Sequence, residues 1–133
     1  MKHVKVVASA IMKDGKLFVA QRPETKEVPF KWEFPGGKIE EGESPEEALK
    51  REIREELSTE IEIDKFIAKV SYTYPTFHLD MDVYLCHLTG PEPKLTEHIN
   101  SAWLTASQMD EISWAPADYQ ILEDVKKACF PSA

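Results

Sequence analysis

Glu52, Glu55 and Glu56 stand at i, i+3 and i+4 inside the acidic stretch FPGGKIEEGESPEEALKREIREEL, residues 34–57. On a helix, at roughly 100° per residue, the three fall within one arc of about 100° and are neighbours in space. Bare carboxylates so placed repel by about 0.2–0.5 kcal/mol per exposed pair, and by more where they are partly buried. Arg51, four residues before Glu55, offsets part of this, but one guanidinium stands against three acids. A hard divalent cation would neutralise the rest. Mg²⁺ prefers oxygen ligands, keeps several waters, and is usually held by a few carboxylates together with substrate phosphates. The spacing therefore points to phosphoryl chemistry, and the plainer alternative is a solvated acidic helix face.

The elements that must position these acids are legible around them. Ser44, Pro45 and Glu47 have the form of an N-cap, a first-turn proline and a capping-box acid, so a helix is expected to start here. Leu49, Ile53 and Leu57 make its apolar stripe, which turns the three glutamates to one side of the buried face. Glu46 and Glu47 complement the helix dipole in its first turn. Just before it, Gly36-Gly37 permits a positive φ and a carbonyl turned toward a site. Upstream, VKVVASAIMKDGKLFVAQRP reads as a hairpin turning at Asp14-Gly15. A polar loop at 24–31 and a short extended WEF segment follow. Two further strands are expected in IEIDKFIAKVSYTY and FHLDMDVYLCHL, then a proline-containing loop at 89–100, a short strand in SAWLT and one terminal helix in APADYQILEDVKKACF. Strands and helices in this order predict a mixed sheet with helices on both faces.

At 133 residues the chain has the size of one domain, expected to span 1–133. A net charge of −8 argues against a nucleic-acid polymer as partner, because binding at phosphates needs clustered Lys and Arg. No stretch reads as a membrane span. The N-terminus alternates apolar residues with lysine, like a strand and unlike a signal sequence, and a cytoplasmic location is expected. Cys86 and Cys129 lack metal or redox spacing and are expected as buried, reduced thiols.

Gly37, Glu43 and the run Arg51-Glu52-Ile53-Arg54-Glu55-Glu56 follow the spacing G-x5-E-x7-R-E-U-x-E-E, which resembles the Nudix box. AQRP, WEFPGGK and APAD are similar to the MutT-type branch, and within it to the cytidine-nucleotide pyrophosphohydrolases. Ser58 and Thr59 depart from the box, which has Gly and an aliphatic residue there. A Gly would end the helix in a left-handed cap, and Ser in that geometry costs on the order of 1 kcal/mol.

The resemblance implies an α/β/α sandwich that uses Mg²⁺ or Mn²⁺ to hydrolyse a nucleoside diphosphate linked to another group. It further implies that Glu52, Glu55 and Glu56, with the carbonyl of Gly36, hold the metal, and that Glu52 deprotonates the attacking water. Arg51 and Glu43 would pair to fix the helix, and Glu97 resembles an additional loop acid that binds metal. Glu97 remains the alternative general base.

The expected reaction releases a monophosphate and pyrophosphate from a small-molecule nucleotide, and monomer and homodimer are both open. Arg22 is a candidate phosphate or base contact through its fork of donors. Phe34 or Trp32 could stack on the base, and either could equally be core, the reading preferred for Trp32. Asp118 stands where guanine readers of this branch have Asn. As a carboxylate, kept ionised by the dipole of the last helix, it would accept from an exocyclic amino group such as cytosine N4. The leading expectation is therefore CTP, dCTP or a modified cytidine nucleotide. Oxidised purine triphosphates, nucleoside diphosphate sugars and a non-catalytic nucleotide- or metal-binding regulator are the alternatives. None of the four histidines has ligand spacing.

Overall fold

The computed structural model describes residues 1–24 and 28–131, so residues 25–27 of the expected polar loop lie outside the described residues. Strands β1 (Lys2–Lys13) and β2 (Lys16–Gln21) form the expected hairpin. Its two turn residues both have positive φ, 50° at Asp14 and 76° at Gly15, which matches the twist of the flanking strands. With β3 (Trp32–Glu33), β4 (Gly36–Lys38), β5 (Ile61–Thr73), β6 (Phe77–Leu88) and β7 (Asn100–Leu104) they make one sheet, in the order β3-β2-β1-β6-β5. β4 lies beside β1 and β7 beside β2. The β1–β6 pair is parallel and the other paired strands run antiparallel.

Alternation along the strands divides the core in two. Val7 and Ile11 of β1 pack with Leu49, Ile53 and Leu57 of α1 (Pro45–Leu57) on one face. Ala8 and Ala10 pack with Ile121, Leu122 and Val125 on the other, under α2 (Pro116–Gln120) and α3 (Leu122–Cys129). The expected α/β/α sandwich with a mixed sheet is the architecture observed. Leu49, Ile53 and Leu57 are each fully buried, and at about 1.5–3 kcal/mol per buried side chain they hold α1 on the sheet. Cys86 and Cys129 are free thiols buried in opposite core layers, and burial pushes Cys129 up to about 12. Among the described residues, no helix is long and apolar enough to cross a membrane.

A strand has two hydrogen-bonding edges, and β6 occupies one edge of β1 from Lys2 to Met12. β2 and β4 must therefore share the other, β2 at Ile11 to Lys13 and β4 at Val6 to Ala8. Beyond that division the sheet opens, and the cavity described below lies there.

Two expectations need correction. The terminal helix is broken at Ile121, where φ −112° and ψ 16° leave the helical region and the Ile121 N–H returns to the Asp118 carbonyl at 3.3 Å. The apolar residues of α2 and α3 stay in one layer across the break. Gly36 and Gly37 do not have positive φ. They are required because strands and side chains come too close: a Cβ on Gly36 would strike the Val7 carbonyl, and one on Gly37 would strike the Glu52 carboxylate.

Candidate active site

α1 begins as its sequence dictates. Ser44 Oγ accepts the Glu47 N–H at 3.1 Å, and Glu47 Oε1 accepts the Ser44 N–H at 2.9 Å, a complete capping box. Two turns later Arg51 becomes the hub of the acidic face. Its Nε and Nη2 donate to the two oxygens of Glu43 at 2.7 and 3.0 Å, and Nη2 also reaches the Lys38 carbonyl at 3.0 Å. Nη1 donates to Glu52 at 2.8 Å and to Glu55 at 3.3 Å. The Arg51 hydrogen bond holds the Glu43 carboxyl below the usual carboxylate range. The expected Arg51–Glu43 pair is present, and it orients two of the three glutamates.

Glu56 differs from its neighbours because it lies on the stripe side of α1 and is only 8% exposed. Burial pushes its carboxyl up to about 9, helped by a hydrogen bond with Glu97 and the charge of Glu52. Its Oε1 has no hydrogen-bond partner. Burial also raises Glu52, and Arg51 partly opposes this. Glu97 reaches this group because its loop caps α1. The Lys94 and Thr96 N–H groups donate to the Leu57 and Glu56 carbonyls at 2.8 and 3.1 Å, and Thr96 Oγ1 donates to the same end of the helix. These bonds satisfy carbonyls that any helix leaves open.

Thr59, at the position where the box has an aliphatic residue, is 3% exposed and donates its hydroxyl to the Pro91 carbonyl at 2.5 Å, tying down the start of that loop. Ser58 keeps the left-handed cap, with φ 50° and ψ 42°.

A cavity of about 630 Å³ joins these acids to a second group of side chains. Gly36, Glu52, Glu55, Glu56 and Glu97 line one end. Arg22, Glu33, Phe34, His98 and Asp118 line the other, with Tyr74 and Phe77 on the wall. Glu33 is held between Arg22 Nη1 at 2.6 Å and His98 Nε2 at 2.8 Å. Burial works to raise it, but the His98 hydrogen bond and the Arg22 charge prevail and hold its carboxyl below the usual range. Arg22 thus reaches the cavity already engaged with an acid.

One expectation at this end changes. Asp118 is not held ionised by a helix dipole: α2 has a single turn or so, and the side chain is 5% exposed. Burial, then the negative charge of Glu33, push Asp118 up to about 8, which favours the carboxylic acid over the carboxylate. Its Oδ1 accepts the Phe34 N–H at 3.0 Å. Phe34 is 3% exposed, and its ring packs on Trp114 with centroids 4.8 Å apart. Trp32 packs against the core under α2 and α3.

Glu33, His98, Tyr74 and Phe77 carry no role in the sequence reading. The Tyr74 and Phe77 rings stack at 4.9 Å. The available signal was Glu33 itself, a charge set between two aromatic residues in WEF.

The acid cluster fits a hard cation on its own chemistry. Every donor is an oxygen, and the buried Glu56 Oε1 lacks any partner, so either a proton or a cation must meet it.

Comparison with known proteins agrees with the fold and the box. A family model for the NUDIX domain matches residues 6–124. The chain is 35% identical over 125 residues to the CTP pyrophosphohydrolase of Escherichia coli K12, covering 92% of this chain and 91% of that one. It is 35% identical over 97 residues to the 8-oxo-dGTP diphosphatase of Proteus vulgaris, covering 72% and 85%. The crystal structure of a MutT NUDIX hydrolase from Burkholderia pseudomallei superposes with a TM-score of 0.81 at 27% identity, over 94% of this chain and 99% of that one. The chain belongs to the Nudix hydrolase family, among its MutT-type members, and is a hydrolase.

Proposed function

We propose that this enzyme hydrolyses nucleoside triphosphates to a monophosphate and pyrophosphate, prefers cytidine nucleotides of the cytoplasmic pool, and uses Mg²⁺, for which Mn²⁺ can substitute. The observation that carries this reading is the opposition of chemistry within one cavity: four carboxylates at one end and a neutral, buried carboxylic acid at the other. Glu55, Glu56 and Glu97, with Glu52 and the Gly36 carbonyl, are the groups to hold the cation. When bound, the cation would neutralise charge on the phosphates and acidify nearby water.

Glu52 takes the proton of the attacking water. Water oxygen bonds to phosphorus, the bridging P–O bond breaks, and its electron pair leaves on the departing phosphate group. Arg51 holds Glu52 at 2.8 Å, and Gly37 leaves the space beside it.

Base choice follows from the protonation of Asp118. Its O–H donates and its other lone pairs accept. That pair of functions matches the N3 and N4 edge of cytosine, whereas an ionised carboxylate would suit the two donors on the guanine edge. Adenine shares the cytosine pattern, so ring size must decide between them. Tyr74 and Phe77 offer aromatic faces for stacking.

The test is a panel of CTP, dCTP, ATP, GTP and 8-oxo-dGTP with Mg²⁺ at pH 7, with products separated by chromatography. CMP and pyrophosphate from CTP, faster than any purine product, are expected. Purine preference would remove the Asp118 reading and leave the hydrolase, while nucleotide binding without turnover would remove the hydrolase.

A further inference from the structure

A second constellation of ligating side chains lies outside the cavity, on the face of the sheet that carries α1. His3 of β1 pairs with His78 of β6 in the parallel ladder, and their rings are 5.1 Å apart. Asp80 follows two residues later on the same face. The three side chains each bring a ligating atom within 4.8 Å of the others. Two hydroxyls of β5 orient them. Thr73 Oγ1 is 2.8 Å from His78 Nδ1, which leaves Nε2 facing Asp80, 3.4 Å from Oδ1. Ser71 Oγ donates to Asp80 Oδ1 at 2.5 Å. Both pairs, Ser71 with Asp80 and Thr73 with His78, are direct register partners, so the sheet itself fixes the arrangement. The Ser71 hydrogen bond, then the nearby imidazole of His78, hold the Asp80 carboxyl below its usual range. Lys5 stands opposite Asp80 in register, yet among the described residues it makes no ion pair with it.

We propose that His3, His78 and Asp80 form a second metal site, suited to a borderline transition ion such as Zn²⁺ and distinct from the carboxylate cluster. Two imidazoles and one carboxylate are the donor set that Zn²⁺ favours and Mg²⁺ does not. With His78 Nδ1–H donating to Thr73 Oγ1, Nε2 is left with the lone pair that a metal needs, and the Ser71 hydroxyl donates to Asp80, so both ligands have the outer layer that keeps their orientation. The bound ion would clamp the first residues of β1 to the start of β6. The opposite side of those strands presents Val4, Phe77 and Leu79 to the cavity, so the clamp would stiffen one cavity wall from behind.

The test is a Zn²⁺ titration of the full chain in excess Mg²⁺, followed by imidazole ¹⁵N resonances. The first equivalent should shift His3 and His78 together and leave His87 and His98 in place. His3→Ala or His78→Ala should abolish the shift of the remaining partner, with backbone spectra otherwise retained. Thr73→Val should weaken binding by about 10–100-fold. Shifts confined to His98 would assign the ion to the cavity. A His3 shift that survives His78→Ala would reduce the site to chelation by the N-terminal residues. Either result, or no shift at all, overturns the proposal.

Discussion

The two ends of the cavity use the same residue type to opposite effect. At the end proposed to hold metal, acids come from one stretch of chain and one loop, and burial, helped by Glu97 and Glu52, pushes Glu56 up to about 9 with an oxygen lacking a partner. At the end proposed to take the base, acids come from distant segments; Arg22 and His98 bond Glu33 and hold its carboxyl below the usual range, and burial, then the charge of Glu33, push Asp118 up to about 8. One end waits for a positive charge; the other presents a neutral group beside a compensated one. Glu97 and His98, adjacent in the same loop, serve one end each: Glu97 bonds Glu56 and His98 bonds Glu33. Identity alone therefore says little about a carboxylate here. Its partners decide whether its carboxyl is pushed up, as at Glu56 and Asp118, or held down, as at Glu33 and Glu43.

The sharpest way to break this division is at Glu52. Glu52→Gln should lower kcat by roughly 10²–10⁴-fold, the range for a lost general base, with thermal stability retained. Measurement of kcat at saturating Mg²⁺ checks this, and unchanged turnover would move the base to Glu97.

A second prediction concerns charge at the metal end without the metal. Unfolded Glu56 ionises near 4.5, the ordinary value for a glutamate, and folded Glu56 near 9. Below that window both states hold the proton and the folded protein keeps its full stability. Within it the unfolded state releases a proton that the native state retains. Stability of the metal-free protein should therefore fall as pH rises, by up to about 1.4 kcal/mol per pH unit. Urea midpoints in EDTA at pH 5, 7 and 9 should show the slope, Glu56→Gln should reduce it, and Mg²⁺ should restore stability at the upper end.

At the base end the sign reaches activity. Above about pH 8 Asp118 loses its proton, and with it the donor proposed for the cytosine edge. KM for CTP should rise by about tenfold per pH unit beyond that point. Asp118→Asn keeps a donor and an acceptor at every pH and should flatten the profile while retaining activity at pH 7. A flat profile in the unsubstituted enzyme would show that Asp118 does not read the base as an acid.

The same contrast explains what the sequence made legible. The metal end is a matter of local spacing: Ser44 to Glu47 fixes where the helix starts, Leu49, Ile53 and Leu57 fix its buried side, and Glu52, Glu55 and Glu56 follow. The base end depends on register between segments 22, 33, 98 and 118, which no local period encodes. Burial of Asp118 is likewise a tertiary fact, and it outweighs the short helix that suggested an ionised side chain. The break at Ile121 was hidden because Ala117, Ile121, Leu122, Val125 and Cys129 fit one continuous helical stripe. The need for Gly36-Gly37 was visible, but its cause was not, since close approach of Val7 and Glu52 depends on the sheet.

The smallest predicted effect lies where the metal end meets its loop. Ser58 holds the left-handed conformation that a Gly would occupy without a Cβ clash, while its N–H caps the Arg54 carbonyl at 3.1 Å. Ser58→Gly relieves that strain but also frees the unfolded chain, so the net gain should be at most about 1 kcal/mol. Its value lies in what should not change. The loop that carries Glu97 and His98 is fastened through Thr59, Lys94 and Thr96, and none of those bonds uses the Ser58 side chain. Urea unfolding should thus register the substitution, while kcat and KM for CTP stay level. A loss of turnover would mean that the cap itself sets the position of the loop, and that the two ends of the cavity are coupled through it.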